Sequence, residues 1–81
     1  MILTIYSKPG CHLCDDMKAV VEGVVQGRQQ ISLQEIDISN DPVLLERYEP
    51  EIPVLLIDGK KAAKFRITEQ ELTRRLRSIS R

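Results

Sequence analysis

Two cysteines carry the most reactive chemistry in this sequence, and they stand close together. Cys11 and Cys14 are separated only by His12 and Leu13. A thiolate attacks a disulfide to form a mixed disulfide, and a second thiol nearby then displaces the reduced product. One pair at this spacing is too little for a structural disulfide framework. The spacing therefore predicts a redox-active pair that exchanges a disulfide with a partner.

The two cysteines are expected to differ because a helix begins at the pair. Loop-forming residues 7–10 precede it. Apolar side chains then recur at helical spacing, at Leu13, Met17, Val20, Val21 and Val24. The positive end of a helix dipole and its unpaired N–H groups lower the pKa of a thiol, and Lys8 is placed to approach from the loop. We expect Cys11 to be the attacking nucleophile and Cys14, one turn further on, to be the buried resolving partner.

His12 is expected to be exposed beside the reactive sulfur. A protonated imidazole there would stabilise the thiolate; the alternative is an ordinary solvent-facing side chain. Haem attachment would require a histidine directly after the second cysteine, but Asp15 stands there. A zinc site requires about four ligands, and the sequence offers two cysteines, one histidine and the acids Asp15 and Asp16. We predict no metal site, and the remaining alternative is an inert pair of thiols.

A βαβ unit is predicted to position the pair. Residues Ile2–Tyr6 form a short β-rich run, the helix is expected to end at Gly27, and a second strand is predicted over Ile31–Ile38. The apolar positions change phase within that second strand, which indicates either a bulge or burial on both faces. Strand, helix and strand at this spacing form two parallel strands with a right-handed crossover.

The rest of the chain predicts a short helix, a hairpin and a final helix. Asp41 and Pro42 are typical of a helix start, and this helix should end before Pro50. Asp58-Gly59 predicts a tight turn between strands 54–57 and 61–65. A capping box at residues 68–71 opens the last helix, with an apolar face of Leu72, Leu76 and Ile79. The prediction is one α/β domain over residues 1–81, with a four-stranded mixed sheet in the order β-α-β-(α)-β-β-α.

Composition and charge exclude several classes of function. There is no apolar run of the roughly 20 residues that a membrane span needs, and no secretory signal, so we expect a cytoplasmic monomer. Zero net charge and three aromatic residues argue against nucleic-acid binding.

Charge is distributed unevenly along the chain. Residues 1–59 carry four bases and ten acids, whereas residues 60–81 carry eight bases and two acids. This asymmetry indicates either a docking face for an acidic partner or, as we prefer, a solvated hairpin and a basic helix end.

Two segments carry a family resemblance. Residues 6–14, Tyr-Ser-Lys-Pro-Gly-Cys-His-Leu-Cys, resemble the active-site segment of glutaredoxins, and residues 51–59 resemble the proline-led strand of thioredoxin-fold proteins. The resemblance extends over essentially the whole chain and implies a thioredoxin-like (glutaredoxin-like) fold. It also implies that Pro53 is a cis-proline beside the dithiol and that Ile52 offers its backbone to the substrate. Lys8 matches the lysine that helps to hold a glutathione carboxylate.

The sequence departs from glutaredoxins after the hairpin. Glutaredoxins place a Gly-Gly pair there, followed by a small or polar residue and an acid, and these places are Ala63, Lys64, Phe65 and Arg66 here. The resemblance is therefore to small glutaredoxin-like proteins, and we expect glutathione to bind weakly and no cofactor to be tightly bound. The thioredoxin centre contains tryptophan, which this chain lacks.

The function expected from residues and resemblance together is thiol–disulfide exchange at Cys11 and Cys14. The expected substrates are protein disulfides or mixed disulfides, with glutathione or a thioredoxin-reductase-type protein as reductant. One alternative is a non-catalytic adaptor of the same fold. Another is a glutaredoxin-like protein that handles iron–sulfur clusters, two chains sharing a cluster through Cys11 and glutathione.

Overall fold

Seven regular elements make up the computed structural model, which describes residues 1–79. They follow the predicted order, with 3-10 turns at Ile38–Asn40 and Glu49–Glu51. The strands and helices are β1 (Ile2–Ser7), α1 (His12–Val25), β2 (Ser32–Asp37), α2 (Pro42–Tyr48), β3 (Val54–Ile57), β4 (Lys60–Lys64) and α3 (Glu69–Ile79). In this part of the chain no helix is long and apolar enough to cross a membrane.

The strands form one mixed sheet in the order β2-β1-β3-β4. β1 and β2 are parallel, whereas β1 with β3 and β3 with β4 are antiparallel. As a result β1, β2 and β4 all end at the same edge of the sheet, and β3 begins there. We call it the dithiol edge; Ser7, Val54 and Lys64 mark it, since Tyr6 pairs with Val54 and Val54 with Lys64.

The phase change in the second strand is not caused by a bulge. β2 pairs with β1 in continuous register from Ser32 to Asp37. Leu33 and Ile36 are half-buried on opposite faces, since successive side chains of a strand alternate. The strand ends one residue earlier than predicted because the Asp37 carboxylate accepts hydrogen bonds from the backbone and hydroxyl of Ser39, which starts a 3-10 turn at Ile38.

The main core lies between the sheet and the helices α1 and α3. Its fully buried members include Leu3, Ile5, Met17, Val21, Leu72 and Leu76. Burial of each such side chain contributes about 1.5–3 kcal/mol, which offsets the poor helix propensity of the valines in α1. On the other face, the rings of Tyr6 and Tyr48 pack 4.9 Å apart, so the end of α2 is held against β1.

The predicted helix and turn signals are present as hydrogen bonds. Asp41 accepts from the backbone N–H groups of Val43 and Leu44 at the start of α2. Thr68 accepts from the N–H of Glu71 at the start of α3. The hairpin turn has positive φ at both Asp58 (49°) and Gly59 (84°), as a type I′ turn requires.

Ile79 departs from the expected burial. Its side chain is 48% exposed, whereas Leu72 and Leu76 are buried. Ile79 lines an open surface pocket together with Ile57 and Arg75, so solvent reaches it. The prediction that it belongs to the buried face of α3 is wrong, because Ile79 is the last residue of the helix and borders this open pocket rather than the core.

Candidate redox site

Cys11 occupies the N-cap of α1, as predicted. β1 ends at Ser7, and the chain turns through Gly10, whose φ of 78° is readily accessible to glycine. Cys11 has an extended backbone, and its sulfur accepts a hydrogen bond from the backbone N–H of Cys14 at 3.2 Å. The strand and the turn therefore hold the Cys11 sulfur against the N–H group of Cys14 in the first helical turn.

The two cysteines form a disulfide and differ in exposure. Their Cα atoms are 5.2 Å apart. Cys14 is only 1% exposed, whereas Cys11 is partly exposed to solvent. Cys11 is therefore the sulfur of the pair that solvent reaches more readily.

Lys8 lies in the loop before Cys11 but is engaged elsewhere. Its Nζ donates a hydrogen bond to Glu49 Oε2 at 2.8 Å. Glu49 is 41 residues away along the chain, so no local sequence pattern indicates this pair. The expected roles of Lys8 near Cys11 and toward a glutathione carboxylate stay predictions, and Glu49 competes with both.

A polar cluster of Ser7, Lys18 and Glu35 lies on the other side of the loop that leads to Cys11. The Ser7 hydroxyl, which is buried, donates to Glu35 Oε2 at 3.1 Å. Lys18 donates to the other oxygen of Glu35 at 3.3 Å, and this hydrogen bond raises the pKa of Lys18 above its usual value. The cluster ties β1, β2 and α1 together beside the dithiol.

The Ile52–Pro53 segment lies at the dithiol edge. The peptide bond between these residues is cis, as the resemblance implied. Since Val54 pairs with Tyr6, the two residues before Val54 continue alongside Ser7 and the loop that leads to Cys11. Pro53 is buried, and Ile52 is partly exposed.

Glu51 and Lys61 link the Ile52–Pro53 segment to the hairpin. The Lys61 ammonium donates a hydrogen bond to the Glu51 carboxylate. This hydrogen bond lowers the pKa of Glu51 below its usual value, and the nearby charges of Lys61 and Lys64 act in the same direction. The pair connects the residue before Ile52 to β4.

Phe65 has an unusual backbone for its residue type. Its φ is +71°, and its side chain is 40% exposed. The left-handed region costs a residue with a Cβ atom about 1–2 kcal/mol. The Phe65 N–H donates to the carbonyl oxygen of Pro53 at 2.8 Å, and the N–H of Arg66 donates to the carbonyl of Lys64 at 2.9 Å. Sequence reasoning missed this conformation, because glycine or asparagine usually signals it.

His12 is exposed between the cysteines, and its role stays a prediction. Within residues 1–79 no group of three or more histidine, cysteine or carboxylate side chains is arranged to hold a metal ion.

Solved structures share this arrangement of strands and helices. A protein from X. campestris has a TM-score of 0.77 at 23% identity, with 94% of this chain and 96% of that chain covered. A mutant thioredoxin from Halobacterium salinarum NRC-1 has a TM-score of 0.65 at 22% identity, with 95% of this chain and 72% of that chain covered. The thioredoxin Deadhead from Drosophila melanogaster has a TM-score of 0.64 at 23% identity, with coverage of 96% and 79%. The molecule thus has the α/β thioredoxin-like fold, and that prediction is confirmed.

Sequence comparison then specifies the family. Residues 2–77 match the Glutaredoxin-like domain (DUF836). The chain is also 30% identical over 84 residues to a glutaredoxin-like protein of Dictyostelium discoideum, a match that covers 98% of this chain and 78% of that protein. The chain belongs to the glutaredoxin-like domain family, as the resemblance of residues 6–14 and 51–59 implied.

Proposed function

We propose that this protein is a thiol–disulfide oxidoreductase that reduces disulfides of protein substrates through Cys11 and Cys14. The observation that carries the proposal is the asymmetry of the pair. Cys11 is partly exposed at a helix N-terminus with an N–H group directed at its sulfur, while Cys14 is buried behind it. That arrangement suits one attacking and one resolving thiol.

The reaction transfers two electrons in two exchange steps. The Cys11 thiolate attacks one sulfur of the substrate disulfide, so a Cys11–substrate bond forms, the substrate S–S bond breaks, and the leaving thiolate takes a proton from solvent. Cys14 then loses its proton and attacks the Cys11 sulfur. The Cys11–Cys14 disulfide forms and the second substrate thiol leaves, so the substrate is reduced and the protein is oxidised. A reduced thiol donor returns the pair to the dithiol form.

The first helical turn supports the thiolate form of Cys11. A backbone N–H donates to the sulfur across 3.2 Å, and hydrogen bonds to a charged acceptor are stronger than those to a neutral one. The helix dipole acts in the same direction. The negative charge of Asp15 in the same turn disfavours the thiolate. The pKa of Cys11 is therefore set by a balance between these contributions.

Protein substrates fit the dithiol edge better than glutathione does. The glycine places of glutaredoxins hold Ala63 and Lys64. Ala63 packs against the main core, whereas the exposed side chain of Lys64 hinders close approach of a ligand to the backbone. Arg66 places a positive charge where an acid would receive the amine of glutathione, and like charges disfavour binding. Lys8 offers at most an exposed ion pair, worth about 0–1 kcal/mol, and Glu49 already engages it. We therefore propose that glutathione is used weakly. A thioredoxin-reductase-type donor, in a reducing compartment such as the cytoplasm, would reduce the Cys11–Cys14 disulfide back to the dithiol.

Reduction of insulin disulfides tests the activity. The wild-type protein should accelerate the reduction of insulin by dithiothreitol, and the Cys11→Ser/Cys14→Ser double variant should not. A variant with Ile2→Thr, at the opposite end of β1, serves as the matched control and should retain the wild-type rate. No acceleration by the wild-type protein, or an equal rate in the double variant, would contradict the proposal and favour an adaptor role.

A further inference from the structure

We infer that Phe65 is a specificity-determining residue that selects protein disulfides whose cysteine is flanked by apolar side chains. The inference rests on the proposed exchange activity of Cys11 and adds the class of substrate sequence that the site prefers. The apolar ring of Phe65 would contact the residue beside the substrate cysteine while that cysteine reacts with Cys11.

The backbone places Phe65 at the dithiol edge. Phe65 directly follows Lys64, the last residue of β4, and Lys64 pairs with Val54 at the start of β3. The Phe65 N–H is bonded to the Pro53 carbonyl at 2.8 Å. Pro53 in turn continues alongside the end of β1, from which the loop leads to Cys11. A peptide that extends along residues 52–53 toward Cys11 therefore passes the segment that carries Phe65.

Packing in the main core does not explain a phenylalanine at this position. Phe65 is 40% exposed and lies outside the core formed by α1, α3 and the sheet. The backbone has a φ of +71°, which glycine adopts without the steric penalty that a Cβ atom introduces. Backbone strain at a residue that stays 40% exposed and outside the main core is a feature that folds retain at functional sites.

The surroundings of the ring define the chemistry of the partner. The Lys64 ammonium lies 5.6 Å from the centroid of the ring. The ion pairs found in residues 1–79 join Lys8 to Glu49, Lys18 to Glu35 and Lys61 to Glu51, so neither Lys64 nor Arg66 takes part in one. An uncharged aliphatic side chain can pack on the exposed ring without disturbing these cations. Glutathione carries a glutamyl group and glycine beside its cysteine and offers no such side chain.

Single-turnover reduction of defined disulfides tests the inference. The pre-reduced protein is mixed with one of three probes, and the oxidation of the protein is followed after acid quenching. The probes are a symmetric peptide disulfide with leucine on both sides of its cysteine, the same peptide with serine in both places, and glutathione disulfide. Serine is uncharged, so Lys64 and Arg66 do not bias the comparison between the two peptides.

We expect the wild-type protein to reduce the leucine peptide about tenfold faster than the serine peptide, a ratio at the low end for a single apolar contact. Phe65→Gly should bring that ratio close to one and should fold normally, because glycine suits the positive φ. Phe65→Asn, which also tolerates this backbone, should behave in the same way. Ile2→Thr removes an exposed apolar side chain at the other end of β1 and should keep the wild-type ratio.

The outcomes distinguish the role of Phe65 from the exchange activity of Cys11. Equal rates of the wild-type protein on the two peptides, or an unchanged ratio in both Phe65 variants, would overturn the role of Phe65 and leave the exchange activity intact. Failure of the wild-type protein to reduce any of the three probes would overturn the proposed function and the role of Phe65 with it.

Discussion

The backbone N–H of Cys14 donates a hydrogen bond to the sulfur of Cys11, 3.2 Å away, so the residue proposed to resolve the exchange also contacts the sulfur proposed to start it. The same local geometry buries the sulfur of Cys14 and leaves Cys11 accessible. We therefore propose that the helix start sets both the order of attack and the acidity of the attacking thiol.

The Cys11 thiol is predicted to have a pKa below about 8.5, the value of a free cysteine, because the N–H group and the helix dipole favour the thiolate. The pH dependence of alkylation by iodoacetamide in the Cys14→Ser protein measures this pKa. The Cys11→Ser protein is the matched control, in which buried Cys14 should react slowly and without a lowered midpoint. A midpoint for Cys11 at or above about 8.5 would contradict the argument.

The Lys8–Glu49 pair is predicted to make only a small net contribution to the acidity of Cys11. Glu49→Gln leaves the charge of Lys8 uncompensated and should lower the pKa of Cys11, whereas Lys8→Met leaves Glu49 and should raise it. Each shift should be below about one pKa unit, since exposed charge pairs interact by about 0–1 kcal/mol and one unit corresponds to about 1.4 kcal/mol. The double variant should return close to wild type. A rise in the double variant as large as that in Lys8→Met would show that Lys8 acts on Cys11 independently of Glu49.

Acid is predicted to weaken the link between Glu51 and Lys61. The pKa of Glu51 lies below its ordinary value of 4.5 in the folded protein because Lys61 donates a hydrogen bond to it. The stabilisation is therefore fully present above pH 4.5 and is lost as the pH falls through the lower, folded-state pKa. Thermal unfolding between pH 7 and pH 3 should show a smaller loss of stability in Glu51→Gln than in wild type. Asp16→Asn, which removes an exposed carboxylate from α1 instead, is the control and should follow the wild-type profile closely. Parallel profiles of wild type and Glu51→Gln would contradict the prediction.

Much of the fold follows from local patterns in the sequence. The apolar spacing of Leu13 and Met17, the cap at Asp41 and the turn at Asp58-Gly59 each specify an element within a few residues, and each is present in the structure. Cys11 at the helix start and buried Cys14 follow from the same local patterns.

Other features depend on contacts between distant segments and could not be predicted from the sequence. Glu49 engages Lys8 across 41 residues of sequence, beside the Tyr6–Tyr48 contact that joins the end of α2 to β1. The positive φ of Phe65 accompanies a hydrogen bond to Pro53, which lies in a different segment of the chain. No glycine or asparagine at this position predicts such a backbone conformation. Ile79 has the correct helical spacing, but it is the last residue of α3, borders an open pocket and is exposed.

Glutathione is predicted to be a poor reductant of the oxidised protein compared with a thioredoxin-reductase system. Restoring an acid with Arg66→Glu should raise the glutathione-dependent rate by up to about fivefold, which corresponds to an exposed ion pair of about 0–1 kcal/mol. Arg74→Glu, the same charge change on the exposed surface of α3, is the control and should leave the rate unchanged. Efficient, saturable turnover with glutathione by the wild-type protein would contradict this prediction and indicate an ordinary glutaredoxin.

The order of attack is the central claim, and trapping of the mixed disulfide measures it most directly. Reduced Cys14→Ser and Cys11→Ser proteins are each incubated with insulin, quenched in acid and analysed by intact mass spectrometry without reductant. Cys14→Ser should accumulate a covalent adduct with an insulin chain through Cys11, because no second thiol releases it, and Cys11→Ser should accumulate none. An adduct that forms with Cys11→Ser and not with Cys14→Ser would contradict the account.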